Sequence, residues 1–162
     1  MTRKPEEYIG AGIVLAVLII ANMAGCDVAL AKENMLTHTA DIPSELVLQT
    51  IAMEASNQNL DGQAWVARVI QTRAKRRGIS EESVVLTPKQ FSCWNDYKLA
   101  NAWLVVNYSH KVRQMALNAY KMAITMTVKP THYHTIKVKP YWSKGKKPLA
   151  VIGSHVFYDN IK

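Results

Sequence analysis

The sequence predicts an α+β fold, mostly helical, with a small β region near its C-terminal end. Apolar residues recur at helical spacing as far as Met126, and after Pro130 the period changes to alternation. Gly153-Ser154, flanked by short apolar runs, then marks a two-residue hairpin. The chain has 162 residues, one domain's worth and enough to bury a real core. Apolar residues make up 49% and charged residues 20%, ordinary globular usage that excludes a disordered scaffold. Two cysteines exclude a disulfide-dense mini-protein and a four-cysteine zinc site.

The first segment reads as a targeting element rather than part of the fold. Arg3 and Lys4 precede an uncharged apolar run from Tyr8 to Ala24, closed by Asp27. Residues 1–31 are therefore expected to export the chain, as a signal or a membrane anchor. Three fates fit: cleavage after Ala29-Leu30-Ala31, lipidation at Cys26 within Met23-Ala24-Gly25-Cys26, or retention as a weak Gly/Ala-rich anchor. The last resembles the signal-arrest-release segments of some phage endolysins. Net charge is +8, and residues 1–31 hold two basic and three acidic groups, so the remainder carries +9. A basic module delivered beyond the membrane suits an anionic envelope polymer better than a nucleic acid, so no nucleic-acid partner is expected.

Residues 32–43 read as a connector and residues 44–162 as the functional domain. Asp41-Ile42-Pro43 is a helix-entry signal. In the helix that follows, Val47, Ile51 and Glu54 share a face. Asn57-Gln58-Asn59 breaks the pattern. A second helix is expected from Asp61 as N-cap to Arg77, closed by Gly78, with Val66, Val69, Ile70 and Arg73 on one stripe. Arg73, Lys75, Arg76 and Arg77 suit its C-terminal dipole. Ser80-Glu81-Glu82 starts a short helix that Thr87-Pro88 ends, and Phe91 to Asp96 reads as loop. A third long helix begins near Ser109, with Ala116, Ala119 and Ala123 on its core stripe. His132, His134, Ile136 and Val138 then fall on one face of a strand, with Tyr133, Thr135 and Lys137 on the other.

Three features bear on chemistry. Glu54 stands on a face otherwise meant for the core, where lost hydration favours the protonated form that a general acid needs. The plainer reading is an exposed Glu in the last turn of an amphipathic helix. His132, His134 and His155 form a second candidate, as a three-imidazole zinc site or as polar lining of a groove. The third is the aromatic content of the second half: Trp94, Trp103, Tyr133, Tyr141, Trp142, Phe157 and Tyr158. Such rings pack on the C–H faces of sugars or close the edge of a core.

Four blocks in order resemble the SleB-type cell wall hydrolases. Met53-Glu54-Ala55 with Gly62-Gln63-Ala64, Val66-Ala67-Arg68-Val69-Ile70 and Arg73 matches the family's N-terminal signature. Gln90-Phe91-Ser92-Cys93-Trp94-Asn95-Asp96 matches the central motif. Thr131-His132-Tyr133-His134 with Pro140-Tyr141-Trp142, and Ile152-Gly153-Ser154-His155-Val156-Phe157-Tyr158, match the last two. Met53, Ser56, Thr72 and Ser154 depart from residues usual in the family, but none of these departures removes an acid group.

The resemblance implies a lysozyme-like catalytic domain acting on peptidoglycan glycan strands; separately, the chain is expected to work as a monomer without cofactor or metal. Glu54 matches the family's catalytic glutamate. Gln90, Phe91, Ser92, Trp94, Asp96, Thr131, His132, Tyr133, His134, His155 and Tyr158 fall in the motifs expected to meet substrate. A glycosidase that uses water needs two carboxylates, and a lytic transglycosylase needs one. With Asp61 expected as a helix cap, Asp96 is the candidate partner for a muramidase, and the lack of a clearer second carboxylate favours transglycosylation. A zinc amidase or peptidase built on His132, His134 and His155, and a non-catalytic wall-binding module, complete the alternatives. A Cys26–Cys93 disulfide that gates activity is a further expectation.

Overall fold

A computed structural model describes residues 42–159 and 161. Among the described residues five helices come first: α1 (Glu45–Glu54), α2 (Leu60–Arg77), α3 (Glu81–Leu86), α4 (Tyr97–Asn107) and α5 (His110–Thr125). A 3-10 turn, Ser92–Trp94, separates α3 from α4. Three short strands follow, β1 (His132–Thr135), β2 (Ala150–Ile152) and β3 (His155–Tyr158), with a second 3-10 turn at Tyr141–Ser143 between the first two. The sheet is antiparallel in the order β1-β3-β2, so β1 is an edge strand. The expected class, mostly helical with a small C-terminal sheet, is the one found. The export segment and Cys26 lie outside the described residues.

α2 holds the domain together because it is apolar on two sides. Ala64, Ala67, Ile70 and Ala74 face α1 and α5, where Val47, Leu48, Ile51, Ala116, Ala119 and Ala123 complete the main core. Alanines on both helices let α2 and α5 approach closely, and theirs is the most extensive contact between elements. Val66 and Val69 point the other way and pack on Ala55 and Phe157, which seats the sheet on the helices. Each fully buried Leu, Ile or Phe here contributes about 1.5–3 kcal/mol relative to exposure.

Local chemistry sets the element ends. The N-cap of α2 is Asn59, not Asp61: the Asn59 side chain accepts from the Gly62 N–H, while Asp61 lies exposed in the first turn. Asparagine caps as well as aspartate, and the chain turns two residues earlier than its charge pattern implied. Gly78 closes α2 in the left-handed conformation (φ 64°). Ser80 and Ser109 cap α3 and α5. Helix α4 was not anticipated; Asp96 caps it, and Ala100 is its one buried residue. β1 is shorter than the alternation predicts. Ile136 and Val138 lie past its end, both about half exposed (54%), because the chain turns through a Val138 N–H to Thr135 carbonyl bond.

Gln58 fastens the α1–α2 junction to the β2–β3 hairpin. Its side-chain carbonyl accepts from the Ser154 N–H (3.1 Å), and its amide donates to Ser154 Oγ (2.7 Å). Gly62 and Gly153 flank it so closely that a Cβ on either would fall 2.6 or 2.0 Å from Gln58 atoms. Gly153 is also left-handed, with φ 55°.

Candidate active site

Glu54 ends α1, and Ala55 leaves helical geometry immediately after it. That end faces the Ser92–Trp94 turn on one side and β1 on the other. Glu54 Oε1 accepts from the Cys93 backbone N–H (2.9 Å) and from Ser92 Oγ (3.1 Å). Oε2 accepts from the Tyr133 hydroxyl (2.7 Å). Three separate donors thus converge on one half-buried carboxylate, at the wall of a cleft of about 590 Å³.

The surroundings shift the titratable groups beside Glu54. Burial, and then the Glu54 charge, push the Tyr133 phenol well above its usual range, so it remains a donor. The same two causes push the Cys93 thiol up, which makes it a poor nucleophile. His155 is almost fully buried and its pKa is lowered, chiefly by burial, with Glu54 opposing; its Nδ1 has no hydrogen-bond partner among the described residues. The Tyr133 ring is wedged edge-on against His155 (5.2 Å) and beside Phe157 (5.5 Å).

Arg73 belongs to the site although its sequence context pointed to the helix dipole. It is buried and lines the cleft. Its Nε donates to the Thr131 carbonyl (2.7 Å), and its guanidinium lies 5.3 Å from the Phe91 ring centre. Burial lowers its pKa to about 10, with Tyr133 and Glu54 opposing, so it stays cationic at neutral pH. The signal was present: Arg73 continues the Val66, Val69, Ile70 stripe, where only a buried or partnered side chain fits. Met53, Lys89, Thr135 and Val138 also line the cleft and were not among the expected site residues.

Asp96 apart, the expected site residues divide into three groups. Gln90, Ser92, Tyr133, His134 and His155 line the cleft with Glu54. Phe91 and Trp94 are core residues, Trp94 donating its indole N–H to Thr50 Oγ1 (2.9 Å), and neither borders this cleft. Thr131 is buried, its carbonyl taken by Arg73. The third group, His132 and Tyr158, occupies the opposite face of the sheet, which His134 shares although it also borders the cleft. His132 pairs with Tyr158 and His134 with Val156 on that face, while Tyr133 pairs with Phe157 and Thr135 with His155 on the face towards Glu54.

That register parts the three histidines. His155 looks to the cleft side, whereas His132 and His134 pack on Trp142 at 5.3 and 5.6 Å, so the imidazoles do not converge on a common ligand position. His134 Nδ1 donates to the Thr135 carbonyl (2.8 Å), and its Nε2 lies within hydrogen-bond distance of the Tyr158 hydroxyl (3.1 Å). Among the described residues no three side chains of metal-ligating type cluster. Cys93 is a free thiol among the described residues, and the expected Cys26–Cys93 bond involves a residue outside them.

Asp96 has a structural task, accepting from the Lys98 and Leu99 N–H groups (2.9 and 3.1 Å) at the start of α4. It also lines an adjoining cleft of about 430 Å³ with Leu99 and Trp103. This second cleft shares Met53, Ser92 and Cys93 with the first, so a groove runs from Glu54 over the Ser92–Trp94 turn to α4.

The site is thus a groove past one hydrogen-bonded carboxylate, in a helical domain closed by a small sheet. Residues 57–158 match the profile of the Cell Wall Hydrolase family, and the chain belongs to that family. Glu54 lies three residues before the matched region, and the other residues around its carboxylate, Ser92, Cys93 and Tyr133, fall within it. The fold is similar to that of the catalytic domain of the Bacillus cereus SleB protein, with a TM-score of 0.54 and 18% identity over 74% of this chain and 96% of that one. A comparison with curated proteins gave no match.

Proposed function

We propose that this chain cleaves the glycan strands of peptidoglycan between N-acetylmuramic acid and N-acetylglucosamine, as a lytic transglycosylase with Glu54 as its only catalytic carboxylate. The observation that carries this reading is the set of three donors on Glu54. They favour the carboxylate that exists once Glu54 has given up its proton, so they lower the cost of proton donation to the leaving oxygen. Glu54 donates that proton as the glycosidic bond breaks. The resulting carboxylate takes the proton of the muramoyl C6 hydroxyl, whose oxygen closes on C1 as a 1,6-anhydro ring. Glu54 ends the cycle protonated, and no water is consumed.

A muramidase in which Asp96 activates water is the second reading, favoured by its place on the adjoining cleft. The cap bonds at Asp96 weigh against it. Residues 1–31 suit delivery of the domain across a membrane to the wall, and an anchor-like segment suits a phage lysis protein. The products of purified peptidoglycan test the reading: anhydromuramic ends for a transglycosylase, reducing ends for a muramidase.

A further inference from the structure

The face of the sheet turned away from Glu54 carries a third pocket, of about 550 Å³, which the reaction leaves unused. Lys139, Tyr141, Ser143 and Lys144 line it from the β1–β2 connection, and His134 and Tyr158 from the sheet. Its walls are built. Trp142 packs edge-on against His134 and Tyr158 (5.6 and 5.4 Å), and His134 stacks on Tyr158 at 5.4 Å. The connection is thereby pinned to the sheet. Tyr141, by contrast, is 91% exposed at the rim.

The charge is one-sided. Lys137, Lys139, Lys144, Lys146 and Lys147 fall in this connection, and no Asp or Glu occurs between Asp96 and Asp159. None of the five has an ion-pair partner among the described residues. Unpaired ammonium groups beside aromatic walls select a ligand with several carboxylates and some apolar surface. The pocket also adjoins the catalytic cleft, since His134 lines both and β1 between them is an edge strand.

We infer that this pocket binds the acidic peptide stem of peptidoglycan, so that the enzyme prefers peptide-substituted strands over bare glycan. The inference rests on the proposed substrate. A stem is carried on the muramoyl sugar next to the scissile bond and bears free carboxylates. A strand held at Glu54 can pass its stem over the edge of β1 to Lys139 and Lys144. Stem binding then adds affinity without touching the reacting atoms, and its loss appears in KM rather than kcat.

The experiment uses the full-length chain in detergent, with two readouts. Cleavage kinetics are compared on stem-bearing strands and on the same strands stripped of peptide by an amidase. Binding of the free acidic stem peptide is measured separately by calorimetry. Wild type should cleave stem-bearing strands with a lower KM. In K139A/K144A that advantage should shrink by about three- to tenfold, the range expected for two partly exposed charge contacts. K139E/K144E should abolish it and should lose the free peptide, with unchanged thermal unfolding showing that both variants fold.

Equal KM values on the two substrates in wild type overturn the inference while leaving the glycosidase reading intact. Peptide binding lost in K139E/K144E, with neither substrate cleaved by the wild type, supports the pocket and overturns the glycosidase. Peptide binding unaffected by K139E/K144E, with loss instead of binding to phosphatidylglycerol vesicles, assigns the lysines to a lipid surface and overturns the stem.

Discussion

Tyr133→Phe probes the bond on which the proposed mechanism leans most. It deletes one oxygen and leaves the ring packed on His155 and Phe157. The lost contact is an O–H to carboxylate bond of 2.7 Å, from a phenol that stays protonated. Bonds to a charged partner contribute about 1.5–3 kcal/mol. If that stabilisation is realised only as Glu54 gives up its proton, kcat falls by about 10- to 150-fold. KM should stay within about twofold, because the hydroxyl is spent on Glu54 rather than on substrate. The assay is the initial rate of soluble fragment release from purified sacculi over a range of substrate concentrations. A kcat within about twofold of wild type would refute the argument that this donor stabilises the carboxylate in the transition state. A large rise in KM with kcat retained would reassign the hydroxyl to sugar binding.

Other expectations follow from single contacts. Asp96→Asn preserves the cap of α4, since asparagine serves equally well, so thermal stability should not change; under the single-carboxylate reading, activity should stay within about twofold. Gly153→Ala puts a Cβ 2.0 Å from the Gln58 carbonyl at a left-handed position and should destabilise by about 1–3 kcal/mol in urea unfolding. Adding Gln58→Ala removes the clash, so the double-mutant cycle should be clearly non-additive. His132 has its pKa lowered to about 4 by burial and then by Arg73, Arg77 and Arg76. Its native state therefore binds fewer protons than the unfolded chain between about pH 6.5 and pH 4. The stability it contributes is complete above pH 6.5 and is lost as pH falls through that window. A His132→Gln variant should show a shallower fall in Tm across the same window, and identical slopes would contradict the assignment.

How legible the molecule was depended on whether a signal was local. The helix containing Glu54, the Gly78 stop, the Ser109 start and the Gly153-Ser154 hairpin all rest on nearest neighbours and were readable. α4 was not, because its residues are mostly exposed and its Asp96 cap looked like part of a loop motif. The histidines show a different limit. Alternation places His132 and His134 on one face, but which face His155 shares depends on the β1–β3 register, which no local pattern records. Glu54 was found by its spacing, whereas its donors were not, since the Cys93 N–H reaches it from 39 residues away and the Tyr133 hydroxyl from 79. Phe91 and Trp94 sit in a motif of the site yet work as core, holding the turn that presents Ser92 and Cys93.

The central claim is that Glu54 alone performs both proton transfers on a glycan strand. Mass spectrometry of fragments released from purified peptidoglycan by the wild-type chain and by Glu54→Gln tests it most directly. The amide introduced by Glu54→Gln keeps an acceptor for the Cys93 N–H, and the Tyr133 oxygen can accept from its NH₂ group. The variant should therefore fold while losing roughly a thousandfold or more in rate. The account predicts 1,6-anhydromuramic ends from the wild type and none from the variant. Reducing muramic ends, or intact glycan with cleaved stems, would contradict it.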